Sequence, residues 1–562
     1  MRKQLLNLVF IFIAITANTL NSVAYGVGNA NDYKHFIIYG QSLSTGHQSY
    51  PVISTENIPG NYMLGEQIWI NYGNKIFSTF NPLVGTISNT FKTNSNIMNR
   101  AAGTIAECPL FGAVNHIQLK EPGQKILATS CGTSGKSIEE LSKESQTTTL
   151  YNDFTKTITS AANISKSTGA TISCPAIFFM QGEWNYKGNG TGLTAGTLPT
   201  SDKEAYKTLL LTLKNNMQTD IRNMYGQVEK PFFICYQTGA SYITGKEQTI
   251  GMAQLEASNE NQDIACAGSV APMTDRGGHL DANGYRWYGE MLGKVYYKTA
   301  VLKEKFRPLQ PCKISRTNNP NQLKIEFLIP VKPLVMDSLI LPKVKDYGFE
   351  IYLANVKQTI KSIRIIDDCV YIDCASHLTG MVEVAYAGQN TAGNGNLRDS
   401  DPYQSFFTYI DLDKKNGDGS YFFSRDATET TLRPTYEPKN ANGLVIYNQP
   451  YPLYNFGISF YYKMDANQQD FVVKNLTNTN VSVVDEVNKQ LDLRLFQSGE
   501  DLIFDNSDKN ISKLELYSVS GKIMKSFYGF SKKYSITGLP KSMYIAKVIY
   551  NEQTCCKKLF IY

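Results

Sequence analysis

Ser42 is the residue around which chemistry can be built in this sequence. It follows an apolar run, Lys34 to Tyr39, through Gly40-Gln41. A serine hydroxyl is a poor nucleophile near neutral pH. It needs an imidazole to take its proton and a third group to hold that ring in one tautomer. Of five histidines, His279 stands between an apolar run and an amphipathic one, at the end of Asp275-Arg276-Gly277-Gly278-His279. It is the expected base and Asp275 the expected carboxylate, with two glycines to bend the loop between them. A developing oxyanion needs fixed donors. The candidates are the backbone amides of Ser42 and Gly135 and the side-chain amide of Gln181, with Gly132 open as an alternative to Gly135. Glu183 reads as a buried carboxylate that braces loops through hydrogen bonds. The plainer readings are a turn cap for Ser42, a place in the first strand for His35, a pocket wall for His47, and an N-cap for Asp281.

These residues share a position type. Each follows a short apolar run, and in an open parallel sheet the functional groups collect beyond the C-terminal strand ends. The runs are Lys34 to Tyr39, Lys125 to Ser130, Ala176 to Met180, Pro231 to Tyr236 and Asp263 to Ala267. All are largely apolar, as expected for strands buried on both faces. Amphipathic stretches lie between them. The clearest opens on Ser201-Asp202-Lys203-Glu204, a capping-box pattern. It repeats Leu209, Leu213, Met217, Ile221 and Met224, and stops at Gly226. Another is expected from Asn283 to Phe306. The fold class is therefore α/β, with helices on both faces of a parallel sheet.

Four blocks in order, Gly40-Gln41-Ser42, Gly135-Lys136-Ser137-Ile138, Gln181-Gly182-Glu183 and His279-Leu280, resemble the SGNH hydrolase superfamily, and within it the sialate O-acetylesterase and acetylxylan esterase-like branch. The resemblance covers about residues 34 to 300. It implies a three-layer α/β/α flavodoxin-like domain that removes O-acetyl groups from a polysaccharide or sialic acid through a Ser-His-Asp triad and an acyl-enzyme, without metal or cofactor. Three departures stand out: Leu43-Ser44 where the family has Asn-Met, Trp184 where it has a small residue, and Asp275 four residues before His279 where the family has three. The competing functions are a glycan-binding surface protein without turnover, and an esterase or lipase acting on non-carbohydrate esters. Ser130 to Ser137 imitates a phosphate-binding loop but lacks its first glycine, so nucleotide binding is rejected.

With 562 residues the chain exceeds one core. Arg2 and Lys3, the apolar stretch Leu5 to Ile15 and the small residues before Tyr25 read as a secretory leader over residues 1–24. An exported location follows: periplasmic, cell-surface or secreted. The esterase domain is expected over 25–305, and a β-sandwich-like region over 306–465, where helical periodicity gives way to strand patterns such as Gln322 to Pro330, Phe349 to Val356 and Gly380 to Ala387. A linker over 466–487 and a small β domain over 488–562 complete the chain. The last of these resembles the C-terminal sorting domain of type IX secretion cargo from Bacteroidetes, through Leu514-Glu515-Leu516-Tyr517-Ser518-Val519-Ser520-Gly521-Lys522 and Tyr544-Ile545-Ala546-Lys547-Val548, which implies secretion machinery as a partner. A charge of +6 without a basic run in the body of the chain excludes a nucleic-acid footprint, and no second stretch is apolar enough to span a bilayer. Ten cysteines in sparse spacing read as mostly free thiols, with Cys131, Cys174, Cys235 and Cys266 buried in or beside strands.

Overall fold

The computed structural model describes residues 32–66, 68–70, 77–85, 106–188, 190–239, 242–275, 278–423, 431–476, 495–498, 500–504, 511–518, 523–529, 531, 533–550 and 553–561. The leader read at 1–24 and residues 477–487 of the expected linker lie outside them. The chain divides into two compact units, Met1–Val472 and Val473–Tyr562.

The first unit is built on a sheet of eight strands: β1 (Tyr33–Gly40), β2 (Asn61–Leu64), β3 (Phe80–Pro82), β4 (Lys125–Ser130), β5 (Ile172–Ser173), β6 (Ala176–Met180), β7 (Phe232–Gln237) and β8 (Ile264–Ser269). The spatial order is β3-β2-β4-β1-β6-β7-β8, with β5 beside β1. Every pair is parallel except β2 with the edge strand β3. The five expected strands are all present, and the order β4-β1-β6-β7-β8 is the doubly wound pattern. The short strands β2 and β3 carry no apolar run long enough to announce them.

Helix Lys203–Tyr225 forms where its periodicity placed it. Its cap is Asp202, whose side chain accepts from the Ala205 amide, rather than Ser201; Gly226, at φ +67°, ends it in a left-handed turn. Helix Ala282–Tyr296 is shorter than its apolar pattern suggests, because the backbone widens into a π turn over Tyr297–Val301. It packs unusually close to helix Pro109–Lys120. A Cβ on Gly112 would collide with the Arg286 carbonyl, and one on Gly289 with the Pro109 carbonyl, so both crossings need glycine.

All of helix Ala282–Tyr296 is buried, because the β-rich part of the same unit covers its outer side. The Trp287 indole stacks on Tyr451 at 5.7 Å and donates to the Pro452 carbonyl at 2.9 Å. Lys294 pairs with Asp401 at 2.9 Å. Glu290 meets His116 at 3.0 Å and accepts the Phe406 and Phe407 amides. Residues 306–465 thus share one core with the α/β layers. They contain antiparallel sheets, including Ile360–Ile366, Cys369–Cys374, Gln322–Leu328, Gln310–Arg316 and Asp470–Val472 in that order. Asp470–Val472 lies inside the stretch expected to be a linker; backbone pairing with Gln310–Arg316 holds it in the sheet.

The second unit, described by itself, has two antiparallel sheets with strands Leu495–Ser498, Asp501–Phe504 and Lys533–Ser535 in one, and Ile511–Ser518, Ile523–Tyr528, Ser542–Tyr550 and Gln553–Ile561 in the other. Leu502, Leu514, Leu516, Tyr534, Tyr544 and Val548 form its core. Among the described residues, no helix is long and apolar enough to cross a membrane. Cys131, Cys174, Cys235 and Cys266 are buried free thiols.

Candidate active site

The site forms where β1 ends. Gly40, at φ +143°, lets the chain pass so close to Met180 at the end of β6 that a Cβ would collide with the Met180 carbonyl. The chain then turns directly into a four-residue helix, Ser42–Thr45, closed by Gly46. Ser42 is its first residue, so its amide has no intrahelical acceptor. The β4 end lies against this turn: the Thr133 amide donates to the Gly40 carbonyl at 2.9 Å, and a Cβ on Gly132 would strike Ser44 Oγ.

His279 arrives from the loop after β8. Its Nε2 lies 2.8 Å from Ser42 Oγ, and its Nδ1 lies 2.6 Å from Gln48 Oε1. The amide oxygen of Gln48 is an acceptor only, so Nδ1 carries the proton and Nε2 presents its lone pair to the serine hydroxyl. This is the tautomer a general base requires. Burial, followed by the charges of His47 and Lys187, pushes the His279 pKa down to about 4. The His279 ring is therefore neutral over the whole physiological range. His47 stands edge-on to it, with ring centroids 4.9 Å apart.

Asp275 does not take the place expected of it. Its Oδ1 accepts from Thr435 Oγ1 at 3.2 Å, its carbonyl accepts the Thr435 amide at 2.8 Å, and it bridges to Leu280 across the loop. The position at Nδ1 belongs to Gln48, which the sequence reading passed over. Gln48 lies six residues after the serine and has φ +65°, a strained backbone for a residue with a Cβ. No motif signals it, because a neutral amide in this role shares no residue type with the expected carboxylate.

Gln181 is also displaced from its expected role. Both amide hydrogens are committed, to the Lys136 carbonyl at 3.2 Å and Asn185 Oδ1 at 2.7 Å, and its Oε1 accepts from the Tyr206 hydroxyl. It ties the end of β6 to the Gly135 turn instead of facing the serine. Gly135, at φ +68°, sits in that turn with the Trp184 indole opposite it. Ser134 beside it reaches His47 Nδ1 at 3.5 Å. Glu183 is buried and bonded to the Tyr236 hydroxyl, linking the ends of β6 and β7, and burial raises its pKa. Asp281 accepts from the Gly284 amide at 2.6 Å and caps helix Ala282–Tyr296. His35 is buried between the Tyr225 and Thr129 hydroxyls.

Among the described residues, no group of three or more His, Cys, Asp or Glu is placed to hold a metal ion. The arrangement can remove a proton from Ser42 and return it to a leaving group.

No family model matches this chain, and neither does any curated protein. Solved structures do. A carbohydrate acetylesterase from Xanthomonas citri aligns at 13% identity over 65% of this chain and 77% of its own, with a TM-score of 0.43. A protein from Arabidopsis thaliana aligns at 15% identity over 48% and 99%, with a TM-score of 0.33. A carbohydrate acetylesterase from Sinorhizobium meliloti aligns at 10% identity over 48% and 99%, with a TM-score of 0.24.

Proposed function

We propose that this chain is an exported serine esterase that removes O-acetyl groups from carbohydrate. The observation that carries the reading is the relay Ser42 Oγ, His279 Nε2, His279 Nδ1 and Gln48 Oε1, with successive separations of 2.8 Å and 2.6 Å across the two hydrogen bonds. Ser42 attacks the acetyl carbon while His279 takes its proton. The tetrahedral oxyanion is held by the free amide of Ser42 and an amide of the Gly132–Gly135 loop. His279 then protonates the leaving sugar oxygen, and water, activated by the same ring, releases acetate from Ser42. Gln48 keeps the imidazole turned and in the right tautomer throughout. Because Gln48 is uncharged, the imidazolium formed on the way is stabilised by a dipole rather than a carboxylate.

Carbohydrate as the carrier is favoured by the resemblance of the four motif blocks, and by the aromatic rings of Trp184 and Tyr242, which border the Gly135 turn and Gly278. Export is favoured by the pattern of residues 1–24, and a sorting role for the second unit by its resemblance to type IX cargo. The test is acetate release from acetylated xylan, acetylated pectin and O-acetyl sialic acid by the purified protein and by Ser42→Ala. The expectation is release by the first and at least about a thousandfold less by the second. Equal rates would end the assignment of the nucleophile, and release from none of the esters would end the esterase reading.

A further inference from the structure

One charged side chain near the site, Lys187, has no carboxylate partner among the described residues. Lys187 ends the short helix Glu183–Lys187 that follows β6, and it is exposed. Its ammonium lies 4.9 Å from the Tyr242 ring centroid and 5.5 Å from that of Trp184, so two half-buried aromatic rings fix its position. It forms no ion pair among the described residues, unlike Lys136, Lys143, Lys203 and Lys207 on the same domain, each of which has a carboxylate within 4.0 Å.

The two rings that flank it border the loops carrying Gly135 and His279. The Trp184 indole faces Gly135 at the turn near the serine, and Tyr242 Oη borders Gly278, the residue before His279. The Lys187 charge is felt at the His279 ring, where it is one of the influences that disfavour the imidazolium. A cation held beside a catalytic base works against the proton transfer it adjoins. The arrangement makes sense when a bound anion neutralises it. Aromatic faces next to a cation also suit a sugar ring that carries a carboxylate: the apolar face of the ring lies on indole or phenol, and the carboxylate meets the ammonium.

We propose that Lys187, set between Trp184 and Tyr242, selects esters on carboxylate-bearing sugars. The acetyl group is then on the acidic sugar itself or on its neighbour in a chain. This rests on the esterase reading above and adds the class of substrate. A uronic acid in a polysaccharide and a sialic acid present the same chemistry, so the experiment separates them.

The measurement is kcat/KM on acetylated oligogalacturonate, on O-acetyl sialic acid, on neutral acetylated xylo-oligosaccharides and on para-nitrophenyl acetate, for wild type, Lys187→Met and Lys187→Arg, with folding checked by thermal melting. The expected wild-type preference for one acidic ester over the neutral glycan is about tenfold. It falls to near parity in Lys187→Met, largely through KM, and returns in Lys187→Arg. Raising salt from about 0.05 M to about 0.5 M erodes the wild-type preference and leaves the Met variant insensitive. Hydrolysis of the aryl ester with equal use of acidic and neutral glycans overturns the proposal and leaves the esterase standing. So does a preference that survives in Lys187→Met. An inert wild type on all four esters removes the esterase reading itself, and the substrate class with it.

Discussion

Replacing Gln48 by Glu puts a carboxylate where the structure has an amide, 2.6 Å from His279 Nδ1. The imidazolium then gains a charge-assisted hydrogen bond in place of a neutral one. Hydrogen bonds to charged groups contribute roughly 1.5–3 kcal/mol against roughly 0.5–1.5 for neutral pairs, so the change favours the protonated ring by about 1.5 kcal/mol. At about 1.4 kcal/mol per pKa unit that is a rise of about one unit from a starting value of about 4. Because His279 must be unprotonated to accept the serine proton, the rate of the wild type climbs as pH rises through about 4 and is level above about 5. In Gln48→Glu the same limb moves to about 5.

The assay is kcat/KM for para-nitrophenyl acetate from about pH 3 to about pH 8, which reports the pKa of the free enzyme's base. A companion variant, Gln48→Ala, removes the bond that fixes the ring, and its plateau falls by about 10- to 100-fold with the limb still low; a lost tautomer lock lowers rate over the whole plateau. The reasoning is refuted if the Glu variant keeps its limb at about 4. It is equally refuted if Gln48→Ala retains full activity while Asp275→Asn loses it, which would restore the carboxylate of Asp275 to the role the sequence suggested.

Other consequences follow from particular contacts. Lys294→Ala removes the buried partner of Asp401 at 2.9 Å and leaves that carboxylate only Lys298 at 3.6 Å; the expected cost is below the ~3–5 kcal/mol of a fully unpaired buried charge, about 2 kcal/mol, read as a fall in Tm by calorimetry. Gly289→Ala forces a methyl into the Pro109 carbonyl and should cost about 1–3 kcal/mol through overpacking, measured by denaturant titration. His35 is held neutral, its pKa pushed to about 3 by burial against about 6.5 in an unfolded chain. Its contribution to stability is therefore complete above about pH 6.5. It is lost as pH falls toward 3, because the unfolded chain takes up a proton the folded one refuses. His35→Gln should flatten the acid side of the Tm-against-pH curve, and an unchanged slope would count against that account.

The large elements were legible because their cause is local. β6 coincides with an apolar run that buries every residue and β4 with one that buries all but Lys125, and helix Lys203–Tyr225 announces itself by a 3.6-residue period and a terminal glycine. Strands β2 and β3 and the three-residue strand Asp470–Val472 were not legible. Their pairing partners, rather than their own patterns, hold them in place. The change from helical to strand periodicity near residue 306 marks a change of element type, yet helix Ala282–Tyr296 buries its outer side under Tyr451, Pro452 and Asp401, which lie far along the chain.

The site divides along the same line. Ser42 and His279, the proposed nucleophile and base, could be picked out because those tasks call for particular residue types at strand ends. Their supports are under weaker constraint. Any acceptor that reaches Nδ1 sets the tautomer, so a glutamine on a left-handed backbone serves where a carboxylate was expected, and Asp275 is left to fasten its loop to Thr435. Gln181 follows the same rule in reverse. Its position after β6 suited an oxyanion donor, but Lys136, Asn185 and Tyr206 claim its amide first, and a side chain can point in only one direction. Reading roles from residue type is therefore secure in proportion to how few groups could do the task. That places the nucleophile and base first, the orienting group after them, and the oxyanion donors last, since a backbone amide, which every residue but proline supplies, can do that task.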